Sequence, residues 1–410
     1  YVVPGTELDN EALKRATSVY LVDRVIPMLP EVLSNQVCSL RPEEEKLTFS
    51  AVFTMNDKAE VTNQWFGKTV INSDRRFTYE EAQEIIETGE GEYHEEISVL
   101  HAIAKILRKK RFGKGAINFH SEEVKFKLDE TGKPIETYIK EQKEANFLIE
   151  EFMLLANKKV AEFIGKVSAG KTPRTFVYRV HDEPNPEKLN TFVQFLKKLG
   201  YTLNVSSRQS LATSYNSLFE KIHGKGEENM IETIAVRTMA KAEYSTENIG
   251  HYGLAFPFYS HFTSPIRRYP DLMTHRLLFQ YLNGGKSADK NVYEEMCKHS
   301  SEMERNAQKA ERDSIKYKQV EFLLDKKGKV FDGVISGVSK WGIFVQLNIS
   351  KSEGLIRFSD LKDDYYYLDE DNYRIIGRQY GNAYRLGDKV SVLVKDVDME
   401  KRQLDLKILD

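Results

Sequence analysis

Cysteine is scarce in this sequence: its 410 residues include two, Cys38 and Cys297, far apart and outside any CxxC pair. This spacing excludes a disulfide framework and a cysteine-based zinc site, and it fits a reducing cytoplasm. No apolar run approaches the roughly 18 residues that a membrane span needs, so we expect no membrane association. Neither sign of charge dominates, since 60 lysines and arginines face 62 aspartates and glutamates. Any surface that binds nucleic acid must therefore be local.

Residues 1–5 contain neither an initiator methionine nor the start of a signal peptide, so the chain is interpreted as a piece excised from a longer protein. Residues 1–326 mix helical periodicity with β-branched runs and show no repeats, which predicts one mixed α and β domain. From Gly328 the pattern changes to short strands and glycine turns, which predicts a second domain at 327–410. The fold class is α+β. The predicted helices are Asn10–Tyr20, Phe77–Glu90, Glu95–Arg111, Ala145–Ala169, Leu189–Leu199, Gln209–Ile222 and Asn291–Lys326, and the predicted hairpins span 47–71 and 123–138.

The second domain has the strand count of a five-stranded Greek-key barrel, the OB-fold. Trp341, Phe344 and Phe358 lie on or beside its second and third strands, where exposed aromatic rings stack on the bases of single-stranded nucleic acid. The alternative is that one or two of them fill the barrel. For the acidic, tyrosine-rich insert at 363–367 a solvated loop is predicted, because it lacks the spacing of a calcium loop. The predicted strands are Lys329–Gly337, Gly342–Leu347, Gly354–Ile356, Lys389–Val397 and Gln403–Leu409.

The segment from Ser260 to Arg276 concentrates the residues of an anion site. Thr263 and Ser264 suit the N-cap of a helix, Pro265 suits its first position, and Arg267 and Arg268 then fall in its first turn. Unpaired backbone N–H groups and two guanidinium groups there favour a phosphate. Because Pro270 disrupts a helix interior, we expect a turn or kink before a longer helix that ends at Gly284-Gly285. The alternative is an ordinary capped helix with solvated arginines.

Several phrases of the sequence together resemble one family. They are TSVYLVDRVIPMLPEVLSNQVCSL, GAINF, LIEEFMLLAN, GHYGLAFPFYSHFTSPIRRYPDLMTHR and the AERD at 310–313. In these phrases the chain is similar to the ribonuclease II / ribonuclease R family of exoribonucleases (RNB domain), and most to its ribonuclease R branch. The C-terminal barrel is similar to the S-one type of RNA-binding OB domain. The resemblance spans essentially the whole chain.

The resemblance implies a processive hydrolase that degrades single-stranded RNA from its 3′ end to nucleoside 5′-monophosphates, with Mg²⁺ as cofactor. By similarity Tyr20 and Phe119 are an aromatic clamp on the terminal nucleotides, Arg267 is the catalytic arginine, and Glu311 and Glu150 are acidic residues of the same cavity. Arg268 would add to RNA binding. A nuclease without sequence preference must hold phosphates by charge and bases by their π faces, which agrees with these residue types.

Each of these residues also has a plainer interpretation. Tyr20 on an amphipathic face and Phe119 in a strand could be core residues, and Glu150 and Glu311 could be solvated or paired in salt bridges. Family members carry a D-x-D-D group of aspartates upstream of the YVVPG-like strand, where it binds the catalytic metals. Here the aspartates are dispersed, so no metal ligand is assigned and the Mg²⁺ ligands are expected mostly upstream of this chain. Cleavage by the chain alone is then expected to be slow or absent.

The alternative function is a non-catalytic module that binds single-stranded RNA, with the larger domain as a scaffold. A purely structural protein is a third interpretation, which leaves the basic and aromatic residues without a task. For the preferred interpretation we expect a cytoplasmic monomer whose partner is single-stranded RNA.

Overall fold

The structure is a computed structural model, and it describes residues 1–119, 123–167, 172–369 and 373–409. Within these residues a π-helical turn lies at Val32–Val37. The α-helices are α1 (Glu7–Arg15), α2 (Tyr79–Thr88), α3 (His94–Gly113), α4 (Glu144–Gly165), α5 (Pro186–Lys198), α6 (Arg208–Ile222), α7 (Glu228–Thr238), α8 (Tyr269–Leu282) and α9 (Lys290–Leu323). In the described ranges no helix is both long and apolar enough to cross a bilayer.

The strands of the first domain form two-stranded antiparallel sheets. They are β1 (Val19–Tyr20) with β2 (Val25–Ile26), β3 (Glu45–Met55) with β4 (Val61–Asn72), β5 (Glu123–Leu128) with β6 (Pro134–Lys140), and β7 (Tyr178–Val180) with β8 (Glu243–Ser245). The strands of the second domain are β9 (Val330–Ser339), β10 (Gly342–Leu347), β11 (Glu353–Arg357), β12 (Tyr366–Asp369), β13 (Arg374–Gly377), β14 (Ala383–Arg385), β15 (Lys389–Asp398) and β16 (Gln403–Ile408).

The helix ends follow the capping chemistry of the sequence. Thr6 caps α1 by accepting from the Asp9 N–H, and Asn185 caps α5 in front of Pro186. At α2, Thr78 and Glu81 exchange side-chain and backbone hydrogen bonds in a capping box, and Gly89 ends the helix with a φ of 73°. These local signals are why the predicted helices lie close to the observed ones.

Two separate cores stabilise the first domain. The larger core joins α4, α8 and the inner face of the β3–β4 hairpin, with Tyr269, Met273 and Leu277 fully buried. The second core is formed by α5, α6 and α7 around Tyr215. Both cores are apolar and closely packed, so the segments between them are held in defined positions.

The second domain is a closed barrel with the strand order β10-β11-β16-β15-β9, which confirms the predicted five-stranded OB-fold. Phe322 and Leu323, at the end of α9, are buried in the barrel core, so this 34-residue helix ties the two domains together. The β5–β6 hairpin adds a second link, since the Thr137 hydroxyl donates to the carbonyl of Ile349 at 2.6 Å.

Two predictions of local structure were wrong. The helix predicted over Asn10–Tyr20 ends at Arg15, because Ala16 adopts a left-handed conformation with a φ of 56°, and Tyr20 therefore lies on a strand. The loop predicted for the tyrosine-rich insert was wrong in part: 363–365 lie outside any strand, but Tyr366 and Tyr367 lie on β12, an edge of the three-stranded sheet β12-β13-β14. Alternating residues of that sheet pack against the barrel, among them Tyr366, Leu368 and Ile375, which explains why it is ordered.

Candidate nucleic-acid and phosphate site

The two adjacent arginines lie in a turn that precedes helix α8. The backbone N–H groups of Arg267 and Arg268 donate to the Ser264 carbonyl at 3.2 and 3.1 Å, and α8 begins only at Tyr269. The prediction that both arginines occupy the first turn of a helix capped by Thr263 or Ser264 was therefore wrong. Pro270 explains the difference, because proline is tolerated in a first turn and restricts the residue before it. The expected turn before the longer helix is confirmed.

Arg268 is engaged by its own helix. Its Nε and Nη2 donate to the two carboxylate oxygens of Asp271 at 2.8 and 2.9 Å, and Asp271 is fully buried. Asp271 also accepts from the Ser264 N–H at 2.7 Å, so one carboxylate fixes both ends of the turn. Burial by itself lowers the pKa of Arg268, but the facing Asp271 raises it above its usual range. The role of Arg268 in RNA binding stays a prediction, and its guanidinium is committed to Asp271.

The side chain of Arg267, unlike that of Arg268, is not held by hydrogen bonds to any described residue. The backbone of Arg267 is held in this way. The Arg267 carbonyl accepts from the Ser18 N–H at 2.9 Å and from the Thr17 hydroxyl at 3.2 Å. Its guanidinium is partly exposed and makes no hydrogen bond or ion pair with any residue that the structure describes. A fixed backbone with an available cation is the arrangement that a phosphate site needs.

Tyr20 and Glu311 are joined directly by a hydrogen bond. The Tyr20 N–H donates to Oε1 of Glu311 on α9 at 2.9 Å, and the Val22 N–H donates to the Ser314 hydroxyl at 3.1 Å. Tyr20 as a whole residue is 47% exposed. Through Ser18 the same short segment is bonded to Arg267, so three of the predicted residues meet. We call this group, residues 17–20 and 264–269 with Glu311, the Arg267 corner.

Glu150 lies in a different cluster, where it is an ion-pair partner. Nη2 of Arg111 donates to Glu150 at 2.9 Å and its Nε donates to Glu151 at 3.0 Å, with Arg111 and Glu151 both buried. Arg108 lies over the ring of Phe147 at 3.7 Å. We call Arg108, Arg111, Glu150 and Glu151 the Arg111 cluster. Within the basic run at the end of α3, Arg111 is thus buried and paired, whereas Lys109 and Lys110 are exposed.

Phe119 packs against helix α6. Its ring lies 5.4 Å from the ring of Phe219 and 6.3 Å from that of Tyr215, at the edge of the second core. Among the described residues no ring contact or hydrogen bond joins Phe119 to Tyr20 or Arg267. The clamp formed by Tyr20 and Phe119 stays a prediction, and the described contacts of Phe119 are those of a packing residue.

Asn157 is a residue of the site that the sequence analysis did not single out. It is buried on α4, where its Oδ1 accepts from the N–H groups of Phe262 at 2.8 Å and Thr263 at 3.2 Å. It thereby holds the segment that leads into the Arg267 corner. An amide inside the apolar run LLAN was the available signal, because a polar group on a buried helix face needs partners.

Four histidines lie behind the corner in neutral form. Burial lowers the pKa of His181, His251, His261 and His275, and it lowers that of His251 to about 3. Nδ1 of His181 accepts from the Gly253 N–H at 2.9 Å, so its Nε2–H faces the Ala240 carbonyl at 2.9 Å. The bond that Nδ1 of His181 accepts requires the neutral ring, whereas Nε2–H could donate in either charge state. Together with the lowered pKa values, this bond indicates that the histidines have a structural role at neutral pH.

The barrel aromatics are divided between surface and core. Trp341 is 67% exposed with Nζ of Lys340 at 5.0 Å from its ring, as predicted. Phe344 lies between Ile343 and Val345, which point into the barrel core, and it is therefore on the outer face. Phe358 packs against the core and fits the alternative that it fills the barrel. The roles of all three in RNA binding stay predictions.

The carboxylates of the described residues do not fit a magnesium site. No group of three or more His, Cys, Asp or Glu side chains that could hold a metal occurs among them. Asp9 is bonded to Arg276 and Tyr269, Asp23 to Arg24, and Asp271 to Arg268. The negative charge of each of these aspartates is thus balanced by an arginine of the chain itself.

Comparison with known proteins adds an independent finding. The model of the RNB domain matches residues 1–284, and that of the S1 RNA binding domain matches residues 324–409. Ribonuclease R of Escherichia coli (strain K12) and that of Thermotoga maritima are each 38% identical over the full length of this chain, which covers 52% and 59% of them. The chain thus spans about half the length of the curated relatives it matches.

A solved structure of a ribonuclease R is also similar to this chain. Mycoplasma genitalium RNase R in complex with ribose methylated single-stranded RNA superposes with a TM-score of 0.89 at 25% sequence identity, over 100% of this chain and 65% of that one.

Proposed function

This chain belongs to the RNB family, and on that premise we propose that it carries the core of a processive 3′-to-5′ exoribonuclease that hydrolyses single-stranded RNA to nucleoside 5′-monophosphates. The observation that supports this most is the Arg267 corner. There a partly exposed guanidinium with no partner in the described ranges and the exposed ring of Tyr20 are tied by backbone hydrogen bonds to one short segment.

Each residue at or beside the corner has a separate role in this proposal. Arg267 offers its charge to the scissile phosphate, where charge develops as the phosphoryl group is transferred. Tyr20 stacks on a base, and Glu311 positions Tyr20 by holding its backbone N–H. Arg268 and Asp271 keep the turn in shape, so that the backbone of Arg267 holds the same position in every turnover. Asn157 does the same for the segment in front of the turn.

Mg²⁺ is part of the proposal through the family resemblance alone. The single, internally paired carboxylates of the described residues are not assigned as its ligands. They support the further proposal that this 410-residue chain by itself hydrolyses RNA slowly or not at all. A uniformly labelled single-stranded RNA incubated with the chain and with Mg²⁺ tests this, because every mononucleotide released from the 3′ end then carries label. Rapid release of mononucleotides would contradict it, and the same reaction with EDTA is the control.

The catalytic proposal itself is tested by Arg267→Ala in the longest form of the protein that the cell makes. Removing one charge that acts on the transition state lowers turnover by roughly 10²–10³-fold, while the affinity for RNA falls only a little. Arg305→Ala, a change of an exposed arginine on α9, is the control. Unchanged turnover in Arg267→Ala would contradict the catalytic role.

The second candidate is a non-catalytic module that binds single-stranded RNA. The exposed ring of Trp341 and the half-buried Phe344 on the outer face of the barrel favour it, since such rings suit base stacking without any chemistry. It predicts that Arg267→Ala and Trp341→Ala both change affinity and that no variant changes a rate of hydrolysis.

We also propose a cytoplasmic monomer. Cys38 and Cys297 are both free, which suits a reducing compartment. Light scattering coupled to size-exclusion chromatography measures the mass directly, and a mass twice that of the chain would contradict the monomer.

A further inference from the structure

An open cleft of about 710 Å³ lies between α2, α3, α4 and the end of β4. Arg267, Tyr20 and Glu311 do not line it, so it is separate from the Arg267 corner. Its floor is buried and apolar, formed by Ala145, Leu148 and Ile97. Its mouth carries large side chains that are exposed to water, namely Tyr79, Tyr93, Leu100 and Ile149.

The exposed apolar side chains at the mouth are not scattered single residues. They come from three different helices and border one concavity, and this is the form in which exposed apolar surface marks a site of interaction. Covering them with an apolar partner removes them from water, which is favourable in proportion to the area covered.

Negative charge predominates at the cleft, which is lined by Asp74 and Glu96. Residues 78–104, which contain α2 and the first half of α3, carry no lysine or arginine, and their glutamates are Glu80, Glu81, Glu84, Glu87, Glu90, Glu92, Glu95 and Glu96. Arg75 lines the cleft, but its guanidinium is paired with Glu81 and Glu92, each at 3.2 Å. The carboxylates of Asp74 and Glu96, together with the two that pair with Arg75, outnumber the one cation of the lining, so the cleft is negative.

We infer that this cleft is the docking site for a basic amphipathic helix of a protein partner. Apolar side chains spaced i, i+3, i+4 and i+7 on the partner helix would enter the mouth between Tyr93, Leu100 and Ile149, in the helix-in-groove mode. Its lysines and arginines would face the glutamates of the rim, which increases the rate of association and selects against other partners. A nucleic acid is disfavoured, because its phosphates would meet the carboxylates of Asp74 and Glu96, while Arg75 is already paired.

The test uses a synthetic, fluorescein-labelled peptide of about 16 residues, roughly 24 Å long as a helix, with leucines on one face and lysines on the rest. Its binding to the 410-residue chain is measured by fluorescence anisotropy. One control peptide has the same composition with the leucines distributed around the helix, and another has glutamate in place of every lysine. The proposal expects saturable binding of the first peptide and at least about tenfold weaker binding of both controls.

Two neighbouring residues of α3 supply matched variants. Leu100 lines the cleft and is 40% exposed, whereas Val99 does not line it and is 59% exposed. Leu100→Asp should weaken binding of the peptide about tenfold by placing a polar group in the apolar mouth, and Val99→Asp should change it less than about twofold. Glu96→Lys, at the rim, should weaken binding and reduce its dependence on salt. Unchanged circular dichroism and melting temperature show that each variant is folded.

Four outcomes would overturn the proposal: equal binding of the lysine and glutamate peptides, equal effects of Leu100→Asp and Val99→Asp, labelled RNA that binds the chain and is released by Leu100→Asp, or self-association of the chain that Leu100→Asp abolishes. The last two outcomes would assign the cleft to RNA or to a second copy of the chain.

Discussion

The Arg267 corner and the Arg111 cluster contain the same kinds of residue and use them differently. In the cluster, Arg111 is buried between Glu150 and Glu151, so its charge is neutralised inside the protein. In the corner, only the backbone of Arg267 is fixed, and among the described residues its guanidinium has no partner. The comparison teaches that the contacts of an arginine, and not its position in a basic run, decide whether its charge can act on a ligand.

The same contrast holds within a single dipeptide. Arg268 is held by Asp271 through two hydrogen bonds, whereas the guanidinium of its neighbour Arg267 has no partner among the described residues. We interpret Arg268 as a positioning residue and Arg267 as the residue that meets the phosphate.

The variant Arg111→Ala tests this comparison with the largest expected effect. Removing one partner of a buried ion pair leaves Glu151 without compensation, and we expect the free energy of unfolding to fall by about 3–5 kcal/mol. Urea denaturation followed by circular dichroism measures it. Lys109→Ala, an exposed change on the same helix, should stay within about 0.5 kcal/mol. Equal stabilities of the two variants would mean that the charge of Arg111 is not buried as described.

Tyr20→Ala and Phe119→Ala extend the comparison to aromatic residues. Tyr20 is exposed in the corner, so its removal should weaken end-binding of single-stranded RNA by about 1–3 kcal/mol with stability unchanged. Phe119 contacts Tyr215 and Phe219, so its removal should first lower stability. RNA affinity and melting temperature are measured for both variants. Weakened binding in Phe119→Ala at full stability would favour the aromatic clamp that family resemblance implies.

The buried histidines provide the smallest effect, which appears as a dependence on pH. Burial lowers the pKa of His251 from 6.5 to about 3, so the folded state keeps it neutral while the unfolded state binds a proton below 6.5. The stability contributed by the neutral ring is complete above pH 6.5 and is lost as the pH falls from there toward 3. The loss is at most about 1.4 kcal/mol per pH unit.

His251→Asn removes this titration and keeps an acceptor near the position of Nδ1, which accepts from the Leu254 N–H. Its stability should therefore change less steeply between pH 6.5 and 5 than that of the unmodified chain, as urea denaturation at each pH shows. Identical slopes would indicate that His251 is already charged or solvated in the folded state.

Much of the fold could be predicted from the sequence because its signals are local. The capping box of Thr78 and Glu81, the alternation of apolar residues in β10 and the glycine turns of the barrel each act within a few residues. The strand that begins at Tyr366 was missed because it is stabilised by packing on the barrel, a contact between distant parts of the chain.

The candidate site was predictable only in part, for the same reason. The choice of Arg267, Tyr20 and Glu311 rests on matched phrases, and the structure brings these three together through bonds between residues about 250 to 290 positions apart. The sequence could not show that Asp271 engages Arg268, that Glu150 pairs with Arg111, or that Phe119 packs on α6. The role of each of these side chains depends on the residues that it contacts, and the fold determines those contacts.

The salt dependence of RNA binding tests the central claim most directly, because it counts the charges that reach phosphates. The dissociation constant of a single-stranded oligonucleotide is measured over a range of KCl concentrations for the unmodified chain, Arg267→Ala and Arg111→Gln. Loss of one phosphate contact should reduce the slope of log K against log salt by about 0.7 in Arg267→Ala, and the slope of Arg111→Gln should not change. An Arg267→Ala slope equal to that of the unmodified chain would contradict the account.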